Sequence, residues 1–312
     1  MAKLTSRFTL GVDVAKDQLV IHHWQNDQHV TLENDPVTIR QWLKGIHTPL
    51  RIALEPTSHY HLALIEAALE AGHQVYLVNP RQLAHYRYAV NARNKTDASD
   101  AWLLARYLEH EAGEMRPFQP QSRQAQRLWA LMTRRATVVQ SQQRLQQSMR
   151  EVNFSIQALM TQFKRLLQRL DHQIQQLIRS LGWWHRYQYC LSIPGIGPAN
   201  AAALVAAYHR GAFSSSDAFI AYMGLDVRLR ESGRFKGKSK LSKQGEPELR
   251  RLLYCASRAA TYHPRFAEYR QRMLDNGLCK IAARVALARK LARIAFTLME
   301  NQQSFRENPK MA

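Results

Sequence analysis

The sequence predicts an α/β unit with a mixed sheet, then a long helical connector, then a mainly helical and strongly basic unit. Three observations carry this. Strand and helix signals alternate over the first third of the chain; residues 121–181 contain neither Gly nor Pro; and the charge is divided along the sequence. Residues 1–115 hold 11 basic and 13 acidic residues, whereas residues 116–312 hold 33 basic and 11 acidic. The net charge of +20 therefore belongs to the last two thirds. A near-neutral unit joined to one built to hold a polyanion would divide in this way. The expected boundaries are 1–115, 116–185 and 186–312.

In the first unit, Phe8–Val14 is an apolar strand carrying an Asp near its end, and Gln18–Trp24 reads as its hairpin partner. Pro36–Lys44 reads as a helix and Arg51–Leu54 as a short strand running into Glu55-Pro56. Tyr60–Ala71 has helical apolar spacing and stops at Gly72; Gln74–Val78 is a strand closed by Asn79-Pro80. Thr96–Glu109 reads as a helix with Thr96 as its N-cap. Strands interleaved with helices mean an α/β layer.

Pro117 and Pro120 punctuate the end of that unit. Apolar residues then recur every three or four positions, from Leu145 through Val152 and Ile156 to Ile174 and Leu181, as in a coiled-coil seam. Unbroken, these residues would run roughly 90 Å; a bend near Glu151–Ser155 would fold them into a hairpin. A seam of this length needs a partner helix, which predicts oligomerisation. Beyond Gly182 the chain is helical again, with a loop around residues 231–245.

Several classes are disfavoured. Met1–Lys16 lacks the pattern of a secretory signal, and the apolar stretch Ala199–Tyr208 is half the length needed to span a bilayer. Cys190, Cys255 and Cys279 are odd in number and widely spaced, which argues against a disulfide framework and suits a reducing, cytoplasmic setting.

Four acids stand out. Asp13 ends the first strand, Glu55 ends a later one, and Asp97 and Asp100 lie three apart, on one helix face. Drawn together, four carboxylates repel unless cations sit among them, which is the logic of a site for one or two Mg²⁺. Each acid has a plainer explanation: Asp97 and Asp100 favour the positive end of a helix, and Asp13 and Glu55 suit turns at strand ends. His59 and His61 form an H-x-H pair with no cysteine nearby, a weak zinc signal.

Ser192-Ile193-Pro194-Gly195-Ile196-Gly197-Pro198 has the pattern of a helix–hairpin–helix turn. Gly195 and Gly197 let the backbone turn tightly, so that amides face a phosphate; the alternative is a turn that packs on protein. Downstream, Arg228, Arg230, Arg234, Lys236, Lys238 and Lys240 make a basic stretch around Ser232-Gly233, with Lys243 just beyond. A serine hydroxyl attacks phosphorus when it loses its proton and the charge developing on phosphate is neutralised, and arginines meet the second condition. Ser239 and Ser242 compete with Ser232 for that role.

These pieces, in this order, resemble the Asp-Glu-Asp-Asp family of bacterial insertion-sequence transposases and recombinases, relatives of the pilin-gene invertase. The resemblance rests on Gly-Val-Asp-Val-Ala-Lys at 11–16, Leu-Glu-Pro-Thr at 54–57, Val-Asn-Pro at 78–80 and Asn-Lys-Thr-Asp-Ala-Ser-Asp-Ala at 94–101. It extends through Ser-Ile-Pro-Gly-Ile-Gly at 192–197, Glu-Ser-Gly at 231–233 and Leu-Ser-Lys-Gln-Gly at 241–245, and so covers nearly the whole chain. Pro56 is a small departure, since many relatives have Ala after the glutamate. The resemblance implies a RuvC-like, ribonuclease-H-type first domain, a coiled-coil connector and a C-terminal transposase domain with a helix–hairpin–helix. It implies Mg²⁺ on Asp13, Glu55, Asp97 and Asp100, and Ser232 as the nucleophile that forms a phosphoserine link to DNA. It further implies donor and target DNA as partners, an element-encoded guide RNA, and a homo-oligomer, from dimer to tetramer, whose composite sites join the acids of one subunit to the serine of another. A hydrolytic, junction-resolvase-like nuclease and a catalytically dead architectural DNA binder are the competing readings.

Overall fold

The computed structural model describes residues 8–92, 94–152, 154–228, 231–232, 235–237 and 240–306. The chain divides into two units, residues 1–120 and 121–312.

The first unit is built on a five-stranded sheet of β1 (Phe8–Val14), β2 (Gln18–His23), β3 (Gln28–Glu33), β4 (Leu50–Leu54) and β5 (Gln74–Leu77), in the order β3-β2-β1-β4-β5. The first three strands form an antiparallel meander, while β4 and β5 run parallel to β1. Parallel neighbours need crossovers. These are α1 (Pro36–Lys44) between β3 and β4, and α2 (Leu62–Glu70) between β4 and β5. Two further helices follow, α3 (Pro80–Ala89) and α4 (Asp97–Glu111).

Strand alternation sends Leu10, Val12, Ile52 and Leu54 into a core with Ile39, Leu43, Leu64 and Ile65 of α1 and α2. The opposite face carries Ala53, Tyr76 and Val78, which pack with Leu83 of α3 and Leu103, Leu104 and Leu108 of α4. Asp35 caps α1 by accepting from the amides of Val37 and Thr38, and Asn79 caps α3 by accepting from that of Arg81, each with proline at the first helical position. The strand β3 and the helix α3 were not anticipated. Only Val30 and Leu32 of β3 are drawn toward the core, and α3 buries a single residue, Leu83.

In the second unit α5 (Arg123–Ser148) and α6 (Gln157–Ser180) are separate helices. They pack together as an antiparallel hairpin, with Arg135 and Asp171 paired in a two-pronged ion pair. The chain turns back between Ser148 and Gln157, and the lower part of the α6 seam, Ile174, Leu177 and Ile178, packs within the same chain. The hairpin base, through Leu128, Ile174 and Ile178, joins the main core.

That core surrounds α8 (Pro198–Arg210), whose residues Ala201 to Ala207 are buried on every side. Around it lie α7 (Trp184–Leu191), α9 (Ser216–Tyr222), α10 (Pro247–Ala260), α11 (Pro264–Asp275) and α12 (Lys280–Glu300). A run of alanines lets neighbouring helices approach closely. Among the described residues no helix is long and apolar enough to cross a membrane. The three cysteines are free, Cys190 buried with its thiol pushed up to about 12 by desolvation.

One contact fixes α4 on the sheet. A Cβ on Gly11 would come within 2.0 Å of the Ala101 carbonyl and 2.3 Å of the Ala105 amide. Gly11→Ala must therefore push the helix away, and is expected to cost at least about 2–3 kcal/mol in chemical denaturation. Gly113→Ala, whose Cβ would meet nothing within 4 Å, is the control and should be close to neutral.

Candidate active site

The acids are placed by the match between β1 and α4. Thr9, Gly11 and Asp13 share the face of β1 that α4 covers. The Thr9 hydroxyl donates to Glu109 at 2.6 Å, Gly11 meets Ala105 and Ala101, and Asp13 comes last, toward the helix start that carries Asp97 and Asp100. Two residues of strand advance about 6.6 Å and four residues of helix about 6.0 Å, so the two elements stay in step over three contacts. Arg51 of β4 braces the far end, donating to Glu109 at 2.7 Å and to the Thr9 hydroxyl at 2.8 Å.

Glu55 reaches the same place through the parallel β1–β4 register. One step past the Val12–Leu54 pair, it stands opposite Asp13 on the neighbouring strand. The start of α4 is set by a capping box: the Thr96 hydroxyl accepts from the Ser99 amide at 3.2 Å, and the Ser99 hydroxyl accepts from the Thr96 amide at 2.9 Å. This holds Asp97 and Asp100 in the first helical turn.

The four acids share one electrostatic neighbourhood. Asp13 is pushed up to about 6, first by burial and then by the charges of Asp100, Asp97 and Glu55, with Lys95 acting in the opposite direction. Glu55 is raised as well, by burial and then by Asp100, against Lys95 and Arg87. Asp100 is held by Arg87 at 2.5 Å, and the same guanidinium donates to the Asn94 carbonyl at 2.9 Å. Gln18 donates to Asp97 at 3.4 Å.

Among the described residues no three His, Cys, Asp or Glu side chains stand close enough to hold one ion, so the acids cluster without closing into a cage. Their donor chemistry, all hard oxygens in mutual repulsion, nonetheless fits a divalent cation. His59 and His61 stand in the exposed loop after Glu55, where His59 bonds Ser58 and His61 the Thr57 carbonyl. Arg87, Lys95 and Gln18 act on the acid cluster, and the sequence alone does not single them out. Lys95 lies within the Asn-Lys-Thr-Asp-Ala-Ser-Asp-Ala stretch at 94–101, whereas nothing in the local sequence marks Arg87 as the partner of Asp100.

In the second unit, among the described residues, the expected loop at 231–245 carries a ribbon of two short antiparallel strand pairs. Val227–Arg228 (β6) pairs with Lys240–Leu241 (β9), and Glu231–Ser232 (β7) with Phe235–Lys236 (β8). Ser232 pairs with Phe235. Arg228 and Lys240 are exposed. Arg230, Arg234, Lys238 and Ser239, and the side chains of Ser232 and Lys236, lie outside the described residues. Ser242, the remaining competitor, donates its hydroxyl to Asp226 at the ribbon base. Arg250 ties that base to α10 through the carbonyls of Met223 and Gly245.

The glycine turn between α7 and α8 has two distinct sides. Gly195, at φ +88, sits so close to Ala260 that a Cβ would meet its amide at 2.4 Å; it packs on protein. Gly197 starts α8 ahead of Pro198 and has open space where a side chain would be.

Comparison with known proteins agrees with this layout. Residues 10–153 match a model of the DEDD type described as a transposase, and residues 187–271 match the one described as the transposase IS116/IS110/IS902 family. The chain belongs to this transposase family. The pilin gene-inverting protein of Moraxella bovis is 29% identical over 96% of this chain and 98% of its own length. A probable family 20 transposase of Pseudomonas aeruginosa is 26% identical, over 95% and 98%. The RuvC of T. thermophilus, solved with a Holliday junction substrate, matches at a TM-score of 0.29 and 15% identity, covering 36% of this chain and 100% of its own. The transposase is thus an enzyme of DNA recombination.

The raised Asp13 gives this transposase a testable pH signature. Between the ordinary value of 3.8 and about 6, the folded protein holds a proton that the unfolded chain has lost. Stability due to this group therefore falls as pH rises through that window. The difference in thermal midpoint between the native protein and Asp13→Asn should shift in favour of the variant from pH 4 to pH 7. Added Mg²⁺ or Mn²⁺ at pH 7 should recover the native protein and leave the variant nearly unmoved.

Proposed function

We propose that this transposase cuts and rejoins DNA strands through a covalent phosphoserine at Ser232, assisted by Mg²⁺ at Asp13, Glu55, Asp97 and Asp100. The observation that carries the reading is the gathering of acids at one end of a parallel strand pair, where burial first and neighbouring carboxylates second hold Asp13 and Glu55 above their ordinary values. Mg²⁺ held there supplies positive charge against the oxygens of a phosphodiester.

The Ser232 oxygen attacks phosphorus, a serine O–P bond forms, and the P–O bond to the leaving strand breaks. The serine proton passes to a carboxylate of the cluster, and the leaving oxygen takes one up. Arg228, Arg230 and Arg234 neutralise the charge that develops on phosphate. A hydroxyl from another DNA end then attacks the phosphoserine, and the serine oxygen regains a proton. The phosphodiester energy is kept throughout, so no nucleotide cofactor is required.

The acids and the serine lie on separate units, which suits composite sites that form only in a dimer or tetramer and couple cutting to assembly. Gly197 and the basic ribbon grip nucleic-acid backbone without reading sequence. Recognition of donor and target DNA is assigned to pairing with an element-encoded RNA, in the cytoplasm and on the nucleoid.

The test is an adduct assay. The protein, co-expressed with the flanking DNA of its element to supply any RNA, is incubated with element-end DNA and Mg²⁺ and then denatured. A protein–DNA band that is absent from both Ser232→Ala and Asp97→Ala is the expected result. Free cleaved DNA without an adduct, still produced by Ser232→Ala, would establish hydrolysis by water instead.

A further inference from the structure

A cavity of about 490 Å³ lies between the end of α3 and the turn that leads into α4, lined by Ala84, Arg87, Tyr88, Asn91, Ala92 and Lys95. It flanks the acid cluster, because Arg87 holds Asp100 and both Arg87 and Lys95 act electrostatically on Glu55. Yet no carboxylate lines it. Its polar groups are the guanidinium of Arg87, the ammonium of Lys95 and the amide of Asn91, while the two alanines leave room. Tyr88, a large aromatic on the rim, is 82% exposed. Arg87, Tyr88, Asn91 and Lys95 take no part in the hydrophobic core, to which α3 gives Leu83 and Tyr86.

Cationic donors together with a free aromatic face match one chemical class, a phosphodiester carrying an unpaired base. We propose that this cavity is a subsite for single-stranded nucleic acid, in which Lys95 faces a phosphate, Arg87 adds positive charge from its place on Asp100, and one base stacks on Tyr88. The inference rests on the reading of the acids as the strand-cutting centre and adds to it. The strand next to the cut is unpaired as it passes α3, because a base within a duplex has no free face for the tyrosine.

A site-specific photocrosslink tests this on the full-length protein without divalent metal, so that cleavage plays no part. Single strands of deoxy- or ribonucleotides carrying 5-iodouracil are bound, irradiated and digested, and the crosslinked peptide is mapped. The expected product is the tryptic peptide 88–93, formed with single strands and not with the matched duplex. Tyr88→Phe keeps the ring and should keep the crosslink. Lys95→Gln should lower the slope of its log–log salt dependence by about 0.7, the value of one phosphate contact on a single strand.

The stronger of the deoxy- and ribonucleotide signals names the source of the strand. Crosslinks that map only elsewhere, or equal yields from the duplex, overturn the subsite. Loss of adduct formation alone would sink the proposed chemistry and leave this subsite standing. Normal adduct formation with no crosslink at 88–93 would do the reverse.

Discussion

The acid cluster depends on the absence of one carbon atom. Gly11 lets the backbone of α4 rest directly on β1, with the Ala101 carbonyl and Ala105 amide where a Cβ would otherwise be. The height of Asp97 and Asp100 above the sheet follows from that distance. Were the helix to ride over even a methyl group, Asp97 and Asp100 would rise off the sheet edge while Asp13 and Glu55 stayed behind. The close approach is then locked at the far end by the Thr9, Arg51 and Glu109 network, which resists sliding.

The second unit uses the same device for a different purpose. Gly195 meets the Ala260 backbone, Gly245 presses on Tyr222 and Met223, and α8 turns an alanine-rich surface to its neighbours. Close backbone packing leaves few ways to shift one helix without its neighbour. A unit that carries a ribbon of short strands gains from such a base, to which Leu241 of β9 is joined by its packing on the core.

What was legible in the sequence had strong local chemistry behind it. The strand holding Asp13, the cap at Thr96 and the acid spacing at 97 and 100 all obey local rules, and they were readable. The strand β3 was not, because it lies at the sheet edge and offers only Val30 and Leu32 to the core. The ribbon reads as a loop in the sequence because its strands are two residues long and half charged, too short for alternation to show. The hairpin partner of α6 was open for a different reason. A heptad stripe declares that it needs a partner, and says nothing about which chain supplies it. Arg87 was invisible for the most general reason: its pairing with Asp100 spans two helices and depends on how they cross.

The step-for-step match between β1 and α4 also divides the gene into regions of fixed and free length. One codon inserted between Asp100 and Ala105 would turn the two acids about 100° around the helix axis relative to Gly11. One codon inserted into β1 between Gly11 and Asp13 would send the aspartate to the opposite face of the sheet. The bend at 149–156 lies at the tip of a hairpin that buries no side chain there among the described residues, so its length is under no comparable restraint. Insertions and deletions across the relatives of this chain should therefore collect at that tip and spare the stretches 11–13 and 97–105, giving an evolutionary record of where two backbones touch.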